Sequence, residues 1–120
     1  MILVDTSIWV DHLRSGVSRL VELLERSQVL THPFVIGELA CGNLRNREEI
    51  LRLLHDLPQS SVASPAEALY FIDRNRLMGK GIGYIDVHLL AAAALGDDVR
   101  VWTSDKRLKN VAMGMKLAFD

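Results

Sequence analysis

Apolar positions in this chain follow two rhythms, short unbroken runs and stripes at helical spacing, and these alternate along its length. Ile2-Leu3-Val4 is an apolar run without polar alternation, the pattern of a strand buried on both faces of a parallel sheet, and Asp5 stops it. Thr6 and Ser7 are placed to cap a short helix over Ile8, Trp9, Val10 and Leu13. Val17, Leu20, Val21 and Leu24 then recur at helical spacing opposite Arg19, Glu22, Glu25 and Arg26, which predicts an amphipathic helix lying on a sheet. Residues 28–31 read as a second strand. His32-Pro33 ends it and opens a helix through Phe34, Val35, Glu38 and Leu39 that stops at Gly42.

The second half repeats the alternation. Ile50, Leu51, Leu53, Leu54 and Leu57 predict a helix over 46–57, ended by Pro58. Residues 59–63 fit either a loop or a short edge strand. Ser64-Pro65-Ala66-Glu67 is a helix start, with Ser as cap, Pro at the first helical position and Glu placed to close a capping box; the helix runs on through Ala68, Leu69, Phe71, Ile72 and Leu77. The glycines at 79, 81 and 83 break the pattern. Residues 84–95 then form a nearly all-apolar helix ended by Gly96, and a helix without a polar face belongs at the centre of a fold. Residues 99–102 predict a strand that ends at Thr103-Ser104-Asp105, and Met115-Lys116-Leu117 predict a last edge strand. The order of elements argues an α/β sandwich with a mostly parallel sheet.

Composition narrows the reading. With 120 residues, 49% of them hydrophobic, the chain is expected to be one domain spanning 1–120 with one sizeable core. It shows no basic leader followed by an apolar core and no apolar run long enough to cross a bilayer, so a cytoplasmic location is expected. The single cysteine, Cys41, cannot form an internal disulfide framework or a cysteine zinc site. Fourteen Lys and Arg against fifteen Asp and Glu give a net charge of −1, so any contact with nucleic acid must come from a local basic patch.

The candidate chemistry lies in the acids. Asp5 and Asp105 each end a strand, where open α/β sheets place their ligands, and Asp86 begins the central helix. Glu38 flanks the apolar stripe of its own helix and is able to reach the same crevice. Carboxylates held close raise one another's pKa, a conflict that a divalent cation resolves. Oxygen ligands without cysteine or paired histidines favour Mg²⁺ or Mn²⁺ over Zn²⁺. Taken singly, each acid also has a plain structural reading: Asp5 as a helix cap, Asp86 as a complement to the helix dipole, Asp105 as a turn residue and Glu38 as a solvated flank. His12, His32, His55 and His88 show no metal-type pairing, and His88 reads as a polar residue at a helix surface or interface. Ser7 has no base to activate it, the 79–83 stretch is a turn rather than a phosphate loop, and Trp9 and Trp102 read as core.

Four segments together carry a resemblance. Ile-Leu-Val-Asp5-Thr6-Ser7, Val35-Ile36-Gly37-Glu38-Leu39, the helix from Tyr84 through Asp86 to Ala93, and Trp102-Thr103-Ser104-Asp105-Lys106-Arg107-Leu108 resemble the four acidic motifs of PIN-domain ribonucleases. Within that superfamily the short, single-domain form is similar to the VapC toxins of toxin-antitoxin pairs. The resemblance implies a three-layer α/β/α sandwich and a Mg²⁺- or Mn²⁺-dependent endoribonuclease. Asp5, Glu38 (directly or through water), Asp86 and Asp105 would be its catalytic and metal-binding acids, flanked by the hydroxyls of Thr6 and Thr103. It further implies a homodimer, inhibition by a small cognate antitoxin protein, and structured RNA such as tRNA or ribosomal RNA as substrate. Lys80, Lys106, Arg107 and Lys109 are the candidates for RNA phosphate contacts, and a groove between the 17–26 helix and the 34–57 helices is the candidate antitoxin seat.

Other classes match less. An aspartate-based phosphotransferase needs a second Asp two residues after the first, where this chain has Ser7. A receiver-like phosphorylatable signalling module needs an Asp ending a middle strand, whereas Asp56 falls in a helical pattern. In a metal-free interaction module the acids would be caps alone.

Overall fold

The computed structural model describes residues 1–120. Its sheet has three strands, β1 (Ile2–Val4), β2 (Val29–Leu30) and β3 (Arg100–Trp102), all parallel in the order β2-β1-β3. Leu3 pairs with Leu30 on one side and Val101 on the other, so the opening tripeptide is the central strand, and Leu3 and Val4 are fully buried. Seven helices surround it: α1 (Thr6–Ser15), α2 (Ser18–Glu25), α3 (Pro33–Ala40), α4 (Arg47–Asp56), α5 (Pro65–Asn75), α6 (Tyr84–Leu95) and α7 (Lys106–Gly114). The path from β1 to β2 runs one way and that from β2 to β3 runs back. Right-handed crossovers therefore set α1 and α2 on one face and α6, which leads into β3, on the other.

The elements form where the pattern placed them, with differences at the edges. Gln59 makes a single parallel bridge to Thr31, and its side-chain amide donates to Thr31 Oγ1 and to the Leu57 carbonyl, so this stretch extends the β2 edge by one residue. The expected edge strand at 115–117 does not form, and a single parallel bridge from Ala118 to Val101 stands in its place. Met115 still closes the α7 helix and Lys116 takes a left-handed turn (φ 60°), so pairing begins only at Ala118, whose neighbours Leu117 and Phe119 bond to Val101. Phe119 packs on Trp102 (5.4 Å between rings), and the Arg19 guanidinium lies 4.3 Å over the Phe119 ring, which fastens this end to α2. Trp102 is thus half-buried beneath the C-terminal segment rather than sealed in the core, where Trp9 is.

α6 is the inner helix. Residues Val87 to Ala93 are buried without interruption, as an element lacking a polar face requires. His88 is buried with them (2% exposed), not at a surface, and Phe34 and Tyr84 meet its ring edge-on at 4.7 and 4.6 Å. His32, fully buried at the end of β2, caps α3 by accepting the Phe34 N–H on Nδ1. No helix is long and apolar enough to cross a membrane.

Candidate active site

In a parallel sheet the carboxyl ends of the strands coincide with the starts of the following helices, so an acid there can serve both. Asp5 does so. It accepts the Thr6 N–H on Oδ1 (2.7 Å), which makes Asp5, and not Thr6 or Ser7, the cap of α1. Its Oδ2 accepts the hydroxyls of Thr103 (2.6 Å) and Ser7 (2.9 Å). Those hydroxyls in turn accept the backbone N–H groups of Asp105 (3.0 Å) and Ser104 (3.1 Å). The ends of β1 and β3 are thereby locked together around one carboxylate that is only 6% exposed. Ser7, which has no base to make it a nucleophile, instead orients Asp5, and its place two residues beyond the strand-ending acid is the signal.

The other three acids are also fixed from one side. Glu38 Oε1 accepts the Thr6 hydroxyl (2.6 Å), which ties α3 to the start of α1. Asp86 Oδ2 accepts the Gly83 N–H at the start of α6 (3.0 Å). Asp105 caps α7, taking the N–H groups of Arg107 and Leu108 on Oδ1 (2.9 and 3.1 Å). The second oxygens, Glu38 Oε2, Asp86 Oδ1 and Asp105 Oδ2, make no hydrogen bond within the chain.

The four share one electrostatic neighbourhood. The Asp86 carboxyl is raised above its ordinary value, first by burial, then by the negative charges of Asp5, Asp105 and Glu38, against the opposing pull of the Gly83 N–H. The donor set is all carboxylate, with neither histidine nor cysteine among it, which suits a hard dication of the Mg²⁺ or Mn²⁺ kind. As the side chains stand, no three His, Cys, Asp or Glu residues close on a single point.

The proposed basic contacts divide. Lys80 and Arg107 line one cavity beside α7. Lys109 is 3.8 Å from the Asp120 carboxylate, an exposed pair, and Lys106 stands exposed at the start of α7. The apolar groove also lies elsewhere than expected. A cavity of about 740 Å³ runs between α1 and the α3–α4 connection, with Val10, Leu13, Leu44 and Ile50 along it, Arg14 and Arg45 beside them, and Thr6 and Glu38 among its lining residues. α2 contributes nothing to it, because α2 turns Leu20 into the core.

This arrangement is that of the PIN domain, and residues 2–113 match that family. The chain belongs to the PIN-domain family. Among its relatives is the protein named Ribonuclease VapC32 from Mycobacterium tuberculosis, in strain CDC 1551 / Oshkosh and in strain ATCC 25618 / H37Rv. Each is 49% identical over 109 residues, which cover 91% of this chain and 88% of the relative.

Proposed function

We propose that this chain is a Mg²⁺- or Mn²⁺-dependent endoribonuclease and the toxin component of a toxin-antitoxin pair, acting in the cytoplasm as one domain over residues 1–120 and as a homodimer. The observation that carries the catalytic reading is that carboxylates from four separate segments share one neighbourhood, with Asp5 held through both oxygens and Glu38, Asp86 and Asp105 each held through one oxygen and open at the other. Kinship with a protein named a ribonuclease supports the substrate class. A dication at these acids would supply positive charge beside a phosphodiester and would activate water for attack on it. The chain's own residues do the positioning. Thr103 and Ser7 keep Asp5 in place, Thr6 holds Glu38 through one oxygen, and the N-termini of α6 and α7 hold Asp86 and Asp105. A cation bound there would offset the burial and the three neighbouring negative charges that raise the Asp86 carboxyl above its ordinary value.

Structured RNA, tRNA or ribosomal RNA, is the proposed substrate, and the groove between α1 and the α3–α4 connection is the proposed seat for a segment of a small antitoxin protein. The test is cleavage of RNA in Mg²⁺ or Mn²⁺. Activity is expected to vanish in Asp5→Asn and in Asp86→Asn while the circular dichroism spectrum stays native. Parental cleavage by a folded Asp5→Asn protein would overturn the assignment.

A further inference from the structure

The α7 side of the site holds a second feature. Asn75, Lys80, Arg107 and Asn110 line a cavity of about 440 Å³ whose other walls are Leu77, Val111, Gly114 and Met115. Two cations and two amides face it, and no carboxylate does. It adjoins the acidic centre, since Arg107 lies two residues beyond Asp105 and donates its backbone N–H to that side chain, and Lys80 lies three residues before Gly83, which holds Asp86. Arg107 has no acidic partner within salt-bridge reach. What steadies it is a glycine. Gly81 has φ +79°, and a Cβ placed there would stand 2.8 Å from Arg107 Cδ, 3.2 Å from one terminal nitrogen and 3.3 Å from Nε. The guanidinium arm therefore lies against bare backbone, in space that a side chain at 81 would take.

We propose that this cavity is a subsite for an RNA backbone phosphate next to the one cleaved, with Arg107 and Lys80 as its cations, Asn75 and Asn110 as its neutral donors, and Gly81 as the residue that positions Arg107. A planar, permanently charged guanidinium beside a compact ammonium suits the paired oxygens of a phosphodiester. The proposal rests on the ribonuclease reading and selects two of the four basic residues named for phosphate contact, leaving Lys109 to Asp120.

Gly79 supplies the control. It too has a positive φ (+71°), but nothing lies within 4 Å of a Cβ built on it. Alanine therefore strains the backbone alike at 79 and 81, and only at 81 does it displace Arg107. Because the atoms it meets belong to a flexible arm, the arm moves and the fold is kept, which thermal melts of both variants would verify.

The assay is fluorescence anisotropy of a mixed-sequence single-stranded RNA oligonucleotide in EDTA, with steady-state cleavage in Mg²⁺ alongside. Arg107→Ala and Gly81→Ala are each expected to weaken binding about tenfold, to flatten the log–log salt dependence by about 0.7, the value for one phosphate contact to a single strand, and to raise KM with kcat held. Lys80→Ala, free of any glycine strain, is expected to behave in the same way. Gly79→Ala should bind as the parent does, and Gly81→Ala with Arg107→Ala together should lose no more than Arg107→Ala alone. Gly81→Ala matching Gly79→Ala, or additive losses in the double variant, would overturn the proposal even if the parent cleaves RNA. Saturation of the cavity by inorganic phosphate or a mononucleotide, with RNA binding unmoved, would also overturn it. A parent that neither binds nor cleaves RNA would remove the ribonuclease reading itself.

Discussion

Asp5→Asn and Asp86→Asn remove the same charge from the same cluster, so relief of repulsion is common to both, yet their effects on stability should differ. Asp5 is a pure acceptor for three donors: one N–H on Oδ1 and two hydroxyls on Oδ2. Those hydroxyls already spend acceptor capacity on Ser104 and Asp105, so their protons point to Asp5. An asparagine has one acceptor oxygen and must turn its NH₂ toward at least one donor, whichever way it flips. Leaving a buried donor unmatched costs about 1–3 kcal/mol. For a chain of this length that is a fall in Tm of roughly 4–12 °C. At 86 an asparagine keeps the Gly83 bond through its oxygen and sets its NH₂ where Asp86 Oδ1 accepts nothing. It also removes a charge that burial and three neighbouring acids disfavour, so Asp86→Asn should equal or exceed the parent. Urea unfolding at pH 7 in EDTA, followed by the fluorescence of buried Trp9, measures both. If Asp5→Asn proves as stable as Asp86→Asn, the network around Asp5 is not what the geometry implies.

Acid should weaken the fold through His32, whose pKa is lowered to about 4, first by burial and then by His88. The unfolded chain binds that proton near pH 6.5 and the folded chain does not, so this contribution is complete above pH 6.5 and falls away toward pH 4, by about 3 kcal/mol at most. Asp86, raised when folded, acts in the opposite sense. His32→Asn, which keeps an acceptor for the Phe34 N–H, should flatten the urea midpoint between pH 7 and pH 5, and an unchanged slope would refute the claim. Ser64→Ala breaks a complete capping box (3.1 and 2.8 Å) and should cost about 1 kcal/mol by thermal melt. Gly96→Ala would bring a Cβ to 2.5 Å from buried Val99 and should cost about 1–3 kcal/mol, whereas Gly37→Ala in open space on α3 should gain about 0.5–1 kcal/mol in urea unfolding.

Periodicity in the sequence was enough to place the elements because each helix and strand buries a face, and burial writes itself as a repeat. The capping box at Ser64 and the apolar run of α6 are legible for that reason. What stayed hidden depends on neighbours distant in the chain. His32 and His88 lie 56 positions apart and meet at 6.2 Å, each with a buried ring nitrogen unpartnered, a pairing that neither residue's own neighbours in the chain announce. The Arg107 arm on Gly81 and the groove along α1 are likewise matters of packing between segments, to which hydrophobic rhythm is blind. Ser7 belongs with them, since its partners Asp5 and Ser104 meet only where two strand ends lie side by side.

A structural role and a chemical role for the same acid are compatible in this fold. Asp5 and Asp105 are helix caps because they sit where a strand hands over to a helix, and that same place faces the crevice of a parallel sheet. Capping uses one oxygen of Asp105 and part of Asp5, and leaves acceptor capacity on both. The helix termini therefore do preparatory work. N–H groups at the starts of α1, α6 and α7 hold Asp5, Asp86 and Asp105 in fixed orientation, and at Asp86 the Gly83 N–H opposes the rise that burial and like charges cause. A carboxylate that caps a helix through one oxygen keeps acceptor capacity for a ligand, so a cap in such a sequence does not count against a site.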